Sequence, residues 1–349
     1  MESGQSKKIT AKLLADFKRK AVSMSKAALV KTDYFQDTGT RPLIIRSDVR
    51  GLNLRAWAES NSSYIEEQLL KYGAILFRGF NVSGAIDFES FIKTLYGGLL
   101  EYNERSSPRS QVSGNIYTST DYPADQSIFL HNENSYQQTW PMRLFFYSAI
   151  PATAGGETPI ADCRKIFNRI QPSIRERFIE KKWMYMRNFG DGFGLPWQTV
   201  FQTDDKSLVE AHCRKNGIQV EWKSGDRLRT RAIRPAVSKH PKTGEMIWFN
   251  HATFFHVSTL EPSVRDSMLA LFTEADLPTN TYYGDGSRIE PEVLESLRDA
   301  YQKETRKFLW QAGDVMMLDN MLVAHGRAPF AGARKVLVGM AQSLSWNEF

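Results

Sequence analysis

His131 and Glu133 stand two residues apart in the stretch Phe129-Leu130-His131-Asn132-Glu133-Asn134-Ser135-Tyr136. On an extended strand, side chains at i and i+2 leave the same face, so the imidazole and the carboxylate converge while Asn132 turns away. Such a pair supplies two of the three ligands of a 2-His-1-carboxylate facial triad, which leaves open positions on non-haem Fe(II). The third ligand has to be another histidine, and five more exist: His212, His240, His251, His256 and His325. His251 and His256 have no acidic residue at metal spacing and read as pocket-wall or core histidines. His325 falls just beyond an expected strand in the final β pair, so sheet closure can return it to the His131 strand. Nine residues after His325 comes Arg334. A permanently charged guanidinium can grip a carboxylate through two parallel hydrogen bonds, as the far end of a bound 2-oxo acid requires. Thr158, in the turn Gly155-Gly156-Glu157-Thr158, can add a hydroxyl donor to the same carboxylate. Tyr117, Thr118 and Thr120 before the metal strand, and Asn134 and Tyr136 after it, are the candidates for lining the substrate opening.

The elements that must position these groups are short β runs divided by turns. Residues 43–45 open a strand, and 73–80 form an apolar run bounded by glycine at 73 and 79, the pattern of a buried strand. Further β runs follow at 143–150, 183–189, 227–234, 246–250, 314–319 and 335–343, with His240-Pro241-Lys242-Thr243-Gly244 as a hairpin turn. Arg227, Arg229 and Arg231 alternate along one of them and read as a solvated face. Helical spacing appears at 64–70, 88–95, 173–182, 262–273 and 291–303. Residues 101–125 are polar and rich in Ser, Asn and Thr, which predicts a long loop or lid beside the metal strand. The glycine-rich loop 190–197 lacks phosphate-binding spacing. The fold expected is mainly β with helices (α+β): a sandwich or jelly roll wrapped by N-terminal helices and a late helical insertion. A doubly wound parallel sheet is disfavoured, because no regular strand-helix alternation or glycine fingerprint is present.

Composition bounds the rest. The 349 residues are 42% hydrophobic and 24% charged, an ordinary globular balance that excludes a disordered or fibrous chain. They are read as a single decorated domain over 1–349. Two cysteines, Cys163 and Cys213, are too few for a disulfide framework and lack zinc-site spacing, so a reducing, cytoplasmic setting is expected. No run of about 18 apolar residues marks a membrane span. The net charge is +6, and basic residues crowd the first 35 positions, where Leu13, Leu14, Phe17, Ala21, Met24 and Ala28 recur at helical spacing. That segment is expected to be a basic amphipathic helix. Its outer face is either solvated or a dock for an acidic protein, and few aromatics interleave the charges, which disfavours nucleic acid.

The ordered set of His131-x-Glu133, the Gly-Gly-Glu-Thr158 turn, His325 and Arg334, with Phe77-Arg78-Gly79-Phe80 upstream, resembles the Fe(II)/2-oxoglutarate oxygenases of the taurine dioxygenase (TauD/TfdA) and clavaminate synthase superfamily. The resemblance implies a double-stranded β-helix with iron on His131, Glu133 and His325. It also implies 2-oxoglutarate and O2 as co-substrates, with Arg334 and Thr158 on the distal carboxylate of 2-oxoglutarate. Two departures from the taurine enzymes shape the expectation. The acidic ligand is Glu133 where they carry Asp, a pattern similar to clavaminate synthase and to SyrP-type hydroxylases of carrier-bound amino acids. Four residues beyond Arg334, where they hold the sulfonate with a second arginine, stands Val338. A sulfonate substrate is therefore disfavoured, and the carboxylate at 133 disfavours halogenation. The expected activity is hydroxylation of an amino acid or amino-acid-derived substrate in natural-product (antibiotic) biosynthesis. Desaturation or cyclisation of a free small molecule, or a non-catalytic metal-binding role on the same fold, are the alternatives. An acidic carrier protein is the expected macromolecular partner if the substrate arrives tethered.

Overall fold

The computed structural model describes residues 29–34, 42–101, 109–119 and 122–348. An eight-stranded sheet is built around the strand Thr139–Ile150, which pairs antiparallel with Val315–Asp319 on one side and Lys335–Ser345 on the other. Beyond Val315–Asp319 the sheet continues through Ala74–Arg78, then Leu43–Ser47 in parallel, and ends at Val30–Tyr34. Beyond Lys335–Ser345 it continues through the short strands Ile116–Thr118 and Gln111–Ser113.

The central strands read as unbroken apolar runs because both of their faces are buried. On one face Phe145, Tyr147, Val315, Met317 and Leu337 pack under the helices Leu54–Glu59, Ser62–Tyr72 and Ala85–Tyr96, through Trp57, Ile65, Leu69, Phe88 and Phe91. On the other face Leu144, Phe146, Met316, Leu318, Val336 and Val338 meet a three-stranded sheet of Ile128–His131, Val323–Arg327 and Ile160–Asp162. These two sheets form the jelly roll.

Between Asp162 and Val315 lies the insertion. It has the expected helices, including Pro172–Lys181, Pro262–Leu271 and Pro291–Glu304. It also carries its own four-stranded antiparallel sheet, in the order Ile218–Lys223, Arg227–Arg234, Trp183–Phe189, Thr279–Tyr283. Trp183, Tyr185 and Tyr283 from this sheet join the main core, so the insertion is fastened to the jelly roll by apolar burial.

Several expectations change. The basic helix over 1–35 lies mostly outside the described residues, and Val30–Tyr34 at its end is a strand paired with Leu43–Ser47. The polar stretch 101–125 contains two short strands beside its loops. Arg227, Arg229 and Arg231 are not a merely solvated row, since they pair with Asp191, Asp276 and Glu221 respectively. Among the described residues no helix is long and apolar enough to cross a membrane.

A buried polar cluster steers the chain between the two sheets. The Asp319 carboxylate accepts from the backbone N–H groups of Met321 and Leu322, turning the chain out of Val315–Asp319 toward Val323–Arg327. Its other oxygen takes Arg143 Nη1 at 2.6 Å and lies 3.1 Å from His240 Nε2, while Arg143 Nη2 reaches Glu66 at 2.6 Å. Burial alone would raise the Asp319 pKa, but the Arg143 charge and the His240 hydrogen bond hold it down at about 2.

Candidate metal centre and its pocket

His131 ends its strand and His325 sits mid-strand in Val323–Arg327, where the two are direct antiparallel partners. Opposed residues share a face, and the imidazole centroids are 4.5 Å apart. Close approach of these strands depends on Gly326, because a Cβ there would stand 2.5 Å from the Ile128 carbonyl oxygen.

Glu133 reaches the same point by a different route from the one expected. The strand stops at His131, and Glu133 lies in the turn that follows. Asn320 clamps that turn: its Oδ1 accepts from Glu133 N–H at 2.8 Å, and its Nδ2 donates to the Glu133 carbonyl at 2.8 Å. Asn132 turns away, as expected, and donates to the Asn320 carbonyl at 2.6 Å. The next residue, Asn134, takes a left-handed φ of 57°, which asparagine tolerates. One ligand atom from each of His131, Glu133 and His325 lies within 4.8 Å of the others.

The protonation states suit a cation. His131 Nδ1 lies 2.9 Å from the Phe129 carbonyl oxygen. An N–H there donates to that oxygen and leaves Nε2 bare for a metal. Burial lowers the His131 pKa against the upward pull of Glu133 and the Phe129 carbonyl. His325 is driven well below the usual range, first by burial and then by His131, Arg109 and His251. Both rings are therefore neutral near pH 7, as metal ligation requires.

Arg109 is the main residue that sequence reasoning missed. Its Nη2 contacts both Glu133 oxygens, at 3.0 and 2.9 Å, from within the polar 101–125 stretch. Nothing in the spacing of that stretch singles out one arginine, since the pairing arises only when the Gln111–Ser113 hairpin folds back. Asn320 carried no signal either, because an Asp-Asn pair after a strand reads as an ordinary turn.

The three residues open onto a cavity of about 590 Å³ whose wall also includes Thr158 and Arg334. Trp310 Nε1 donates to Thr158 Oγ1 at 3.1 Å, which leaves the Thr158 hydroxyl hydrogen to donate to a ligand. Arg334 donates through Nε to the Gly156 carbonyl at 3.0 Å, and among the described residues no carboxylate pairs with it. Burial, then the nearby Arg327 charge, lowers its pKa to about 10, so it stays charged at neutral pH. Gly156 has a φ of 73°, and a Cβ there would come within 3.0 Å of Arg334 Cδ. The Gly-Gly turn is thus the seat of that arginine.

Of the residues expected at the substrate opening, Asn134 and Tyr136 lie on the cavity wall. Tyr117 does not: it is buried in the core with Val338 as its strand partner. Thr118 is also off the wall and accepts from the Ser110 N–H at 2.9 Å, so Ser119 is the residue of that stretch that faces the cavity. Thr120 lies outside the described residues. His251 and His256 are wall residues, and burial lowers both, His256 to about 4 with the help of Arg298. Arg327 faces a loop, donating to the carbonyls of Tyr122, Pro123 and Gln126. The insertion supplies wall residues that local patterning did not reveal, among them Tyr185, Arg187, Phe254 and Phe255.

Comparison with known proteins identifies the family. Residues 36–341 match the family model described as taurine catabolism dioxygenase TauD, TfdA family. The dapdiamide synthesis protein DdaC of Enterobacter agglomerans is 42% identical over 276 residues, covering 79% of this chain and 84% of that protein. A clavaminate synthase-like protein of Arabidopsis thaliana is 29% identical over 299 residues, covering 81% of this chain and 86% of its own. Among solved structures, PvcB, described as an Fe, alpha-ketoglutarate dependent oxygenase from an isonitrile synthetic pathway, superposes with a TM-score of 0.54 at 16% identity over 92% of this chain and 96% of its own. AAD-2 in complex with Mn(II) and N-oxalylglycine superposes with a TM-score of 0.52 at 12% identity, over 89% of this chain and 96% of its own. At such identities the superpositions speak for the fold alone.

Proposed function

The chain belongs to the TauD, TfdA family and is an Fe(II)- and 2-oxoglutarate-dependent oxygenase; from that premise we propose that it hydroxylates an unactivated carbon of an amino acid or amino-acid-derived substrate in natural-product biosynthesis. In this reading His131, Glu133 and His325 hold the iron. Neutral imidazoles with bare ring nitrogens, together with one carboxylate, are the donor set that non-haem Fe(II) takes. Iron bound there would supply the oxidation of the substrate, coupled to O2 and to decarboxylation of 2-oxoglutarate to succinate.

The chain's own residues do the positioning. Arg334 and the Thr158 hydroxyl hold the distal carboxylate of 2-oxoglutarate, a charged, fork-shaped contact backed by one further donor. Asn134 and Tyr136 border the space left for the substrate, and the aromatic wall from the insertion keeps water away from it. The observation that carries the reading is the joint presence, in one cavity, of three converging ligand atoms and an arginine without a carboxylate partner among the described residues. The kinship with a dapdiamide synthesis protein supports a biosynthetic role.

The test is succinate release from the Fe(II)-loaded chain with ascorbate and 2-oxoglutarate, offering free amino acids and the same amino acids loaded on carrier proteins. Stimulation by either class supports the reading, and stimulation by loaded substrates alone adds an acidic carrier as partner. Glu133→Ala and His325→Ala should each abolish turnover, and full activity in either removes that residue from the metal site. Product masses separate hydroxylation, which adds an oxygen, from desaturation, which removes two hydrogens. Tight 2-oxoglutarate binding with no succinate under any condition would favour a non-catalytic role.

A further inference from the structure

Three arginines on the insertion sheet have carboxylate partners: Arg227 lies 3.2 Å from Asp191, Arg229 2.9 Å from Asp276 and Arg231 2.7 Å from Glu221. Arg187, on the adjoining strand Trp183–Phe189, differs. It is half-buried on the cavity wall, and no carboxylate or hydrogen-bond acceptor among the described residues reaches its guanidinium. Its guanidinium lies against ring faces, with the central carbon 4.6 Å from the Phe189 centroid and 5.8 Å from that of Tyr185. Its cross-strand partner is Thr279, which lines the same cavity. Directly opposed residues point to one face with Cβ atoms roughly 5 Å apart, so a hydroxyl stands beside the charge.

Ring faces hold a guanidinium in place without consuming its N–H donors. A cation held this way on a cavity wall, with no counter-charge among the described residues, keeps its donors available to an anionic ligand. The site is also linked to the metal centre. Tyr185 stacks on Phe255 at 4.4 Å, Phe255 on His251 at 4.7 Å, and His251 lies 5.5 Å from His131. Of the four arginines on this cavity's wall, Arg109 pairs with Glu133 and Arg327 donates to backbone carbonyls, whereas among the described residues Arg334 on the jelly-roll side and Arg187 on the insertion side pair with no carboxylate, and 2-oxoglutarate accounts for only one of these two.

We propose that Arg187, assisted by Thr279, binds an oxyanion carried by the substrate and so sets which substrates the enzyme accepts. The proposal rests on the oxygenase reading of this cavity and narrows its substrate class to anionic molecules. The oxyanion is either a free carboxylate of an amino-acid substrate or the phosphate of a pantetheine arm.

The test uses the full chain loaded with Mn(II) and saturated with N-oxalylglycine, so that Arg334 is engaged, and calorimetric titration with two matched pairs of probes. One pair is 3-phenylpropionate and 3-phenylpropionamide; the other is 4'-phosphopantetheine and pantetheine. At least one anion should bind more tightly than its neutral partner by about tenfold or more, the scale of a charged hydrogen-bonded contact. Arg187→Gln should erase that preference while leaving the affinity of the neutral probe unchanged, and Arg187→Lys should keep part of it. Preference for the carboxylate identifies a free acid as substrate, and preference for the phosphate identifies a carrier arm. No measurable binding of either anion, no preference in the wild type, or a preference that survives Arg187→Gln overturns the proposal. If Arg187→Gln also loses N-oxalylglycine binding, the Arg187→Lys result decides: an undiminished preference there overturns the proposal, and a reduced one upholds it. Succinate release by the Fe(II)-loaded wild type is measured separately. Its absence with anion preference intact defeats the oxygenase reading and spares the anion site, whereas succinate release without anion preference defeats the anchor alone.

Discussion

Arg109 places a single nitrogen, Nη2, against both carboxylate oxygens of Glu133, 3.0 Å from one and 2.9 Å from the other. Both side chains are more than nine-tenths buried. A buried carboxylate without a counter-charge is costly, and the arginine offsets that cost when no cation is bound. A divalent metal does the same thing more strongly, and it would then sit beside the arginine's positive charge. Arg109→Met should therefore weaken the metal-free protein by about 3–5 kcal/mol, the usual effect of stranding one member of a buried pair. It should also enlarge the rise in melting temperature produced by Mn(II). A rise smaller than that of the wild type would show that Arg109 orients Glu133 for the metal more than it competes with it.

Asn320 fixes Glu133 through the backbone rather than the side chain. Its amide joins Glu133 N–H, the Glu133 carbonyl and the Pro141 carbonyl, each at 2.8 Å. Removing it leaves buried polar groups without partners, at about 1–3 kcal/mol each, and frees the turn that aims the carboxylate. Asn320→Ala is expected to fold with reduced stability and to bind Mn(II) about 10- to 100-fold more weakly, the range seen when groups supporting metal ligands are lost. Unchanged metal affinity would show that the 132–136 turn holds its shape without the clamp.

At the 2-oxoglutarate end the contributions are unequal. Arg334 brings charge and two-point geometry, whereas Trp310 acts only by orienting the Thr158 hydroxyl through a 3.1 Å hydrogen bond. Arg334→Ala should raise the KM for 2-oxoglutarate by at least about tenfold. Trp310→Phe should raise it by a smaller factor, with kcat little changed, because uniform binding is what is lost. Gly156→Ala should resemble Arg334→Ala in direction, since the added methyl group meets Arg334 Cδ. Equal KM values in the wild type and Arg334→Ala would place 2-oxoglutarate elsewhere.

Much of this could be read along the chain because the relevant signals are local. The strands at 183–189 and 335–343 declare themselves by β-branched and aromatic runs, and Trp183–Phe189 and Lys335–Ser345 are strands. His131, Glu133 and His325 could be selected because few histidines exist and one carboxylate sits at the right spacing. What escaped depends on long-range placement. Arg109 meets Glu133 only through a hairpin, Asn320 meets it across 187 positions of chain, and Arg187 enters the cavity because an inserted sheet packs over the jelly roll. Tyr117 was misplaced for a related reason. Both faces of Ile116–Thr118 are covered, Ile116 entering one core and Tyr117 the other, and the register of so short a strand is set by its partner Lys335–Ser345.

The buried cluster of Arg143, Asp319, His240 and Glu66 links the fold to the site, since Asp319 caps the turn that leads to His325. Its behaviour with pH follows from sign. The Asp319 pKa is held at about 2 in the folded chain, against about 3.9 for an unfolded aspartate. A depressed folded pKa contributes stability that is fully present above pH 4 and is lost as pH falls toward 2. The amount is of order 2 kcal/mol. Arg143→Met removes the main charge that holds Asp319 down, so the Asp319 pKa rises and acid unfolding begins at higher pH. At neutral pH the variant should be less stable by about 3–5 kcal/mol, because a buried carboxylate keeps only His240 and backbone donors. Acid titration followed by near-ultraviolet circular dichroism measures the midpoint. A midpoint at or below that of the wild type would mean that His240 and the Met321 and Leu322 amides alone satisfy Asp319, and that Arg143 acts mainly on Glu66.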